Sequence, residues 1–331
     1  MYRVLLVCLS ALICATGGHA AEWQVRRIDT PARVTGIETV DGKVRVEAGG
    51  LWYEVALAAG KASLTFVEPP AKPELPDGAL PDGRIATGMH DIARAWFAQP
   101  TMRYDHGILG DGVEAGSLVI DTRSGRRQEI KLDDGAVFED LEPRLADIDG
   151  DGHDDVVVVK STLKRGSSLA VIAERRGRYQ IVAETPPLGQ PNRWLNPAVI
   201  GDFTGDKRTS IAFVRQPHDV GVLELWTWSN GGLRKAGEIP DAANHVAGSR
   251  ALDMSVAADF DGDGIADIAL PSLDRTRLRI VSFAPAPREI ASAALPAKAV
   301  TNLGLIRDGA TLAVALGLED GSLVLLRPPA Q

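Results

Sequence analysis

The chain has 331 residues, 45% of them hydrophobic and 24% charged, with 34 glycines, 20 prolines and a formal charge of −8. That supplies enough apolar residue for a sizeable core, which excludes a disordered or collagen-like chain, and the acidic balance argues against nucleic acid as a partner. Aromatic residues make up only 5%, a composition that suits many short strands joined by tight turns better than long helices.

The chain opens with a basic start at Met1–Arg3, an apolar run from Val4 to Ala15 and a small-residue exit at Gly18-His19-Ala20. This pattern reads as a secretory signal peptide over residues 1–20, cleaved after Ala20 or Ala21, and it places the mature domain, residues 21–331, in the periplasm or outside the cell. The run is shorter than the roughly 20 residues a membrane span needs, and no later stretch reaches that length without charge. Cys8 and Cys14 both fall inside the leader, so no disulfide is expected in the mature chain. Cys14 follows Leu12 and Ile13 rather than a small residue, which argues against lipid anchoring.

Beyond the leader, strands are expected near residues 33–38, 43–47 and 51–57, the first pair joined by the Asp41-Gly42 turn. A proline-rich stretch, 67–84, holds two copies of Leu-Pro-Asp-Gly and reads as a connector or surface loop. A repeat then begins. Its clearest copies are Leu145-Ala-Asp-Ile-Asp-Gly-Asp-Gly-His-Asp-Asp155 and Ala257-Ala-Asp-Phe-Asp-Gly-Asp-Gly-Ile-Ala-Asp267, each running into an apolar strand. A weaker copy, Asp202-Phe-Thr-Gly-Asp-Lys-Arg-Thr-Ser210, lies between them, and degenerate copies at Asp91 and Asp308 keep the strand while losing most of the loop. The units fall at 85–140, 141–197, 198–252, 253–298 and 299–328. Four strands in about 55 residues make a propeller blade, so the expected fold is an all-β propeller of about six four-stranded blades, with five or seven also compatible with the length.

The spacing Asp-x-Asp-Gly-Asp-Gly-x-x-Asp places carboxylates at positions one, three, five and nine of a hairpin loop. Converging hard oxygens are what Ca²⁺ requires. The expected ligands are Asp147, Asp149, Asp151 and Asp155 in one loop and Asp259, Asp261, Asp263 and Asp267 in the other, with backbone carbonyls of His153 and Ile265 at position seven, for about two ions in all. The loops are not EF-hands, because Val158 and Leu270 stand where that motif has Glu, and strands flank them. Solvated Asp-Gly turns are the alternative, but four carboxylates about 4 Å apart repel by about 1 kcal/mol per pair even in water.

With these loops in view, residues 85–325 resemble the FG-GAP and VCBS repeats of secreted bacterial proteins and of integrin α-subunits. The resemblance implies a propeller with Ca²⁺ held between the first two strands of certain blades. No literal Phe-Gly-Gly-Ala-Pro motif is present, and the family spans adhesion, carbohydrate binding and enzymes, so it implies fold far more narrowly than function.

At the opposite rim the loops are rich in polar and aromatic residues: Glu142, Arg144, Arg193, Trp194, Asn196 and Asp253 in the loops entering the first strands, and Arg103, Tyr104 and His106 in the exit loop of the early repeat. These are the candidate contacts for a glycan or protein ligand, with interblade packing of Trp194 and pairing of the arginines as the competing reading. No nucleophile elbow, phosphate loop, dinucleotide fingerprint or His-based metal motif occurs, and a binding or adhesion module is favoured over an enzyme. The alternative is a propeller-fold polysaccharide lyase or hydrolase using Tyr104 with His106, or Arg144 with Glu142.

Overall fold

The computed structural model describes residues 21–328 except Ala59 and Ala310. The proposed leader and both cysteines lie outside the described residues. Those residues form β-strands and connecting turns, with no helix among them.

Blade 1 is an antiparallel meander of Val34–Val40, Lys43–Ala48, Leu51–Ala58 and Lys61–Val67. Its first hairpin turns on Asp41 and Gly42, both at positive φ (51° and 73°), the geometry that matches the right-handed twist of paired strands. Blade 2 contains Ile92–Thr101, Glu114–Thr122 and Arg127–Lys131. Its inner position is taken by the end of the proline-rich stretch, whose ladder with the first of these strands is reduced to two isolated bridges, Ala79↔Ala98 and Ala86↔Ala95. That stretch is therefore more than a surface connector: Leu80 within it is fully buried. Prolines cannot donate to a ladder, which limits the pairing to isolated contacts.

Blade 3 is Arg144–Ala146, Asp155–Thr162, Gly166–Arg175 and Arg178–Glu184, and the short strand Ala136–Phe138 joins it to blade 2 in one sheet. Blade 4 is Leu195–Gly201, Ser210–Arg215, Val222–Ser229 and Gly232–Pro240. Blade 5 is Val256–Ala258, Asp267–Pro271, Arg277–Ser282 and Arg288–Ala294, with Ala21–Glu22 added in parallel at its outer edge. Ala299–Asp308, Thr311–Leu318 and Leu323–Arg327 form blade 6, whose fourth strand is Gln24–Ile28 from the N-terminal end of the described chain. The ends of the chain thus complete one blade between them, and the expectation of about six blades holds.

Middle strands are buried on both faces, as their unbroken apolar runs require: Val156, Val157, Val158 and Val159 are all fully inaccessible. Blades 2, 3 and 4 share one hydrophobic cluster, blades 4 and 5 another, blades 5 and 6 a third, and blades 6 and 1 a fourth. Blade 1 buries Val44, Val46 and Ala48 against blade 6, while the alternating Lys43, Arg45 and Glu47 face the other way.

Candidate functional site

The acidic loops join the first and second strands of blades 3, 4 and 5 and lie at one end of the ring. In blade 3, Asp147 accepts hydrogen bonds from the backbone N–H groups of Gly150, Asp151 and Gly152 at 2.7–3.1 Å, and Asp149 and Asp151 each accept one from two residues ahead. Asp259 holds Gly262 and Gly264 in the same way, with Asp261 and Asp263 repeating the inner pattern. Blade 4 folds identically around Asp202, although Lys207 at φ 64° stands where the intact loops have glycine. Its ninth position is Ser210, buried with its hydroxyl bonded to no other described group. These turns are thus built by local carboxylate-to-backbone bonds, and only two of them carry the surplus of carboxylate oxygens a cation needs.

That surplus converges. Oxygens of Asp147, Asp149 and Asp151 lie within 4.8 Å of one another, as do those of Asp259, Asp261 and Asp267. The ninth-position residues sit beneath the loops: Asp155 and Asp267 are buried, and each accepts a backbone bond through Oδ2. Oδ1 of Asp267 makes no hydrogen bond of ordinary geometry to the described residues, although the nearby Ser282 hydroxyl eases the carboxyl's ionisation. Burial pushes the Asp155 carboxyl up to about 7 and that of Asp267 up to about 6, and the neighbouring loop aspartates add to both. An orphaned buried carboxylate oxygen facing two further carboxylates fits a hard cation. In blade 3 the Arg175 guanidinium reaches Asp149 at 2.5 Å, whereas in blade 5 Arg288 stays 3.9 Å from Asp261. The eighth-position Asp154 turns away from the loop, and its carboxylate accepts from the N–H groups of Met89, His90 and Ile92, pinning blade 2 to blade 3.

At the opposite end, loops from blade 2 and from between blades 4 and 5 meet. Gly248 N–H donates to the Ile108 carbonyl, and Arg250 reaches Asp82 and Asp111 at 2.8 Å each, above the buried Leu80, Leu109, Leu141 and Leu252. Several of the aromatic and amide candidates prove to be framework. Trp194 is buried, donates Nε1–H to the Glu139 carbonyl and packs its ring on His218 and His245. Tyr104 is buried with its hydroxyl accepting from Asn192 N–H, and Asn196 donates to the carbonyls of Asn244 and Leu252. None of the three turns a face to solvent, because a rim that must seal the inner ends of the blades has to satisfy its polar groups internally. Arg103 binds the Ala136 carbonyl and Arg193 lies 3.5 Å from Asp219.

His106 is held by a group that the sequence pattern does not single out. Its Nδ1 lies 2.5 Å from Oε1 of Glu139, which is fully buried and also accepts from Ser161 and Ser167. Burial drives the Glu139 carboxyl above its ordinary range, against the pull of His106. Glu114, Glu139 and Asp140 are three buried acids in one region, and the signal for two of them is modest: Glu139-Asp140 interrupts an otherwise apolar stretch.

The remaining candidates line the axis. Glu142, Arg144 and Asp253 border a cavity of about 360 Å³ walled by the inner strands of blades 3 and 4 and by residues 86–87. Arg144 is bonded through Nη1 to Asp140 at 2.5 Å and to the Glu142 carbonyl at 3.0 Å, while Arg84 bridges the carboxylates of Glu142 and Asp253 at 3.6 and 3.5 Å. Glu142 therefore pairs with Arg84 rather than with Arg144.

No family model matches the sequence, and no curated protein does. Among solved structures the chain is similar to a streptogramin B lyase, at 13% identity and a TM-score of 0.52 over 94% of this chain and all of that one. It is similar to BBS1N in its complex with ARL6DN, at 11% identity and a TM-score of 0.52 over 95% and 99% of the two chains. Sheets, closure and neighbours together define the class: the protein is a β-propeller. At such identities the likeness extends to the fold alone.

Proposed function

We propose that this protein is an exported, calcium-stabilised β-propeller of the FG-GAP/VCBS type that binds a glycan or protein ligand. The observation that carries the calcium reading is the orphaned Asp267 Oδ1 beneath a loop whose Asp259 and Asp261 oxygens converge with it. Asp147, Asp149, Asp151 and Asp155 would hold the ion in blade 3, and Asp259, Asp261, Asp263 and Asp267 in blade 5, with the carbonyls of His153 and Ile265 as further oxygens. A bound ion supplies charge neutralisation at the loops and no chemistry beyond that. Blade 4, with Ser210 at position nine and Lys207 and Arg208 in the loop, is left without one. Export rests on the basic, apolar and small-residue succession of residues 1–20, and ligand binding on the charged axial cavity. Calorimetric titration of the mature chain with Ca²⁺ tests the central part: two ions support it, and no bound ion contradicts it.

The alternative reading, an enzyme acting on polysaccharide, is favoured by one feature, the carboxylate-oriented His106, whose Nδ1 is held by the buried Glu139 while Nε2 makes no hydrogen bond to the described residues. New reducing ends or unsaturated products from a panel of acidic glycans would support it.

A further inference from the structure

The axial cavity contains an anchored guanidinium with an unused edge. Every side-chain hydrogen bond of Arg144 to the described residues runs through Nη1, to the fully buried Asp140 and to the Glu142 carbonyl. Nε and Nη2 bond to no described group, and the side chain keeps 20% of its surface open. A guanidinium whose third nitrogen is fixed presents its remaining two N–H donors as a planar fork, the shape that takes a carboxylate with two parallel bonds. Because Asp140 already holds the plane, little side-chain freedom is left to lose on binding.

Acceptors stand beside this fork. Arg84 sits 3.6 Å from Glu142 and bonds Asp253 only at 3.5 Å, the long limit of a hydrogen bond, so both carboxylates at the cavity border keep spare acceptor capacity. Thr87 adds a hydroxyl to the border, and the other bordering residues, Pro143, Leu145, Pro197 and Val199 among them, are apolar. The hollow is thus open and about as polar as it is apolar, with its charged groups on one side of an apolar wall, a lining suited to a small polar ligand.

We propose that the axial channel binds a small carboxylate ligand, the free edge of Arg144 taking its carboxylate and Glu142 and Asp253 accepting from hydroxyl or ammonium groups next to it. Hexuronates and α-amino acids share this chemistry. This ligand class rests on the binding function proposed above and is independent of calcium.

The test is calorimetry on the mature chain in saturating Ca²⁺ with two matched pairs of probes: D-glucuronate against D-glucose, and L-alanine against L-alaninamide. One acid is expected to bind with one-to-one stoichiometry, and its carboxylate-free counterpart at least about tenfold more weakly. Which pair responds distinguishes a sugar acid from an amino acid. Arg144→Lys keeps a cation against Asp140 and loses the fork, so it should weaken the acid about tenfold, and Glu142→Gln serves as a second variant at the partly open side of the cavity. Both variants are checked for an unchanged calcium-dependent melting shift. Binding of neither acid, equal binding of the acid that binds and its carboxylate-free counterpart, or binding untouched by both variants overturns the proposal. Acids that fail while the calcium shift persists remove the channel site alone, and acids that bind without any calcium shift remove the calcium reading alone.

Discussion

Glu114 is buried to 1% exposure in the second full strand of blade 2, and its Oε1 is bonded to no other described group. Its carboxyl is pushed up to about 10, first by burial and then by the neighbouring Glu139, Asp111, Asp82 and Asp140. The folded chain therefore keeps a proton that the unfolded chain releases near pH 4.5. Between those limits the folded state binds more protons, so stability falls as pH rises, by at most about 1.4 kcal/mol per pH unit for this one group. Glu114→Gln keeps the shape and removes the ionisation. The variant should gain stability over the parent progressively from about pH 5 to about pH 8 in urea melts, and parallel pH profiles would contradict the assignment. Sequence pattern cannot single this residue out: an isolated Glu at the start of an apolar strand reads as a surface position until the fold places blade 3 over it. His106 and Arg144 could be picked out as candidates because each stands in or next to a segment dense with polar residues, His106 in a loop and Arg144 at the start of a strand. Glu139 and Arg84, the groups that hold or complement the candidates, act across 33 and 169 residues of sequence, to His106 and Asp253 respectively, and no local spacing reveals such pairings.

At the scale of the element, the acidic loop is a turn built by its own backbone bonds, and the proposed cation site is laid over that turn. Asp147, Asp202 and Asp259 organise three loops with the same backbone bonds, including one whose ninth-position carboxylate is missing. The intact loops differ in one respect, since Arg175 already occupies Asp149 in blade 3 while blade 5 has no comparably close cation. A calcium ion in blade 3 must displace or share that guanidinium. Asp263→Ala is thus expected to remove more of the calcium-dependent stabilisation than Asp151→Ala, and the double variant to remove nearly all of it, read as melting temperature with and without EGTA. Equal and negligible effects would count against both sites. The loops and their strands were legible because position-specific Asp and Gly recur with the period of the fold. Recurrent bulges were not: the third and fourth strands slip register at Val171/Ile172, Leu225/Trp226 and Ile280/Val281, in blades 3, 4 and 5 alike. A bulge adds twist without a residue type of its own, so it leaves no signature in composition.

Over the whole molecule, the hydrophobic contact runs continuously from blade 2 through blades 3 to 6 and on to blade 1. No hydrophobic cluster of the described residues spans blades 1 and 2. Blade 1 is therefore held chiefly through blade 6, whose outer strand is Gln24–Ile28 paired with Leu323–Arg327. A chain beginning at Arg33 lacks that strand and leaves the edge of Leu323–Arg327 unpaired. It should melt at least about 10 °C below the chain beginning at Ala21, several kcal/mol for a protein of this size, and an unchanged melting temperature would show that closure does not depend on it. The number of blades was legible from dividing the chain length by the residues a blade needs, whereas the pairing of Gln24–Ile28 with Leu323–Arg327 joins segments about 300 residues apart that no local pattern links. The seam between blades 1 and 2 was not legible either, because Trp96 and Val119 look as core-bound in sequence as any residue of the ring.

If two acidic loops hold calcium and the ions stabilise the propeller, the mature protein must melt differently in millimolar Ca²⁺ and in EGTA. That pair of melting curves, with bound ions counted by calorimetry, is the decisive measurement. Free ion at about 100 times the dissociation constant adds about 2.7 kcal/mol per site, which predicts a rise of roughly 5 °C or more and a stoichiometry of about two. Identical melting in the two conditions with no ion bound would leave the loops as solvated turns and contradict the calcium reading.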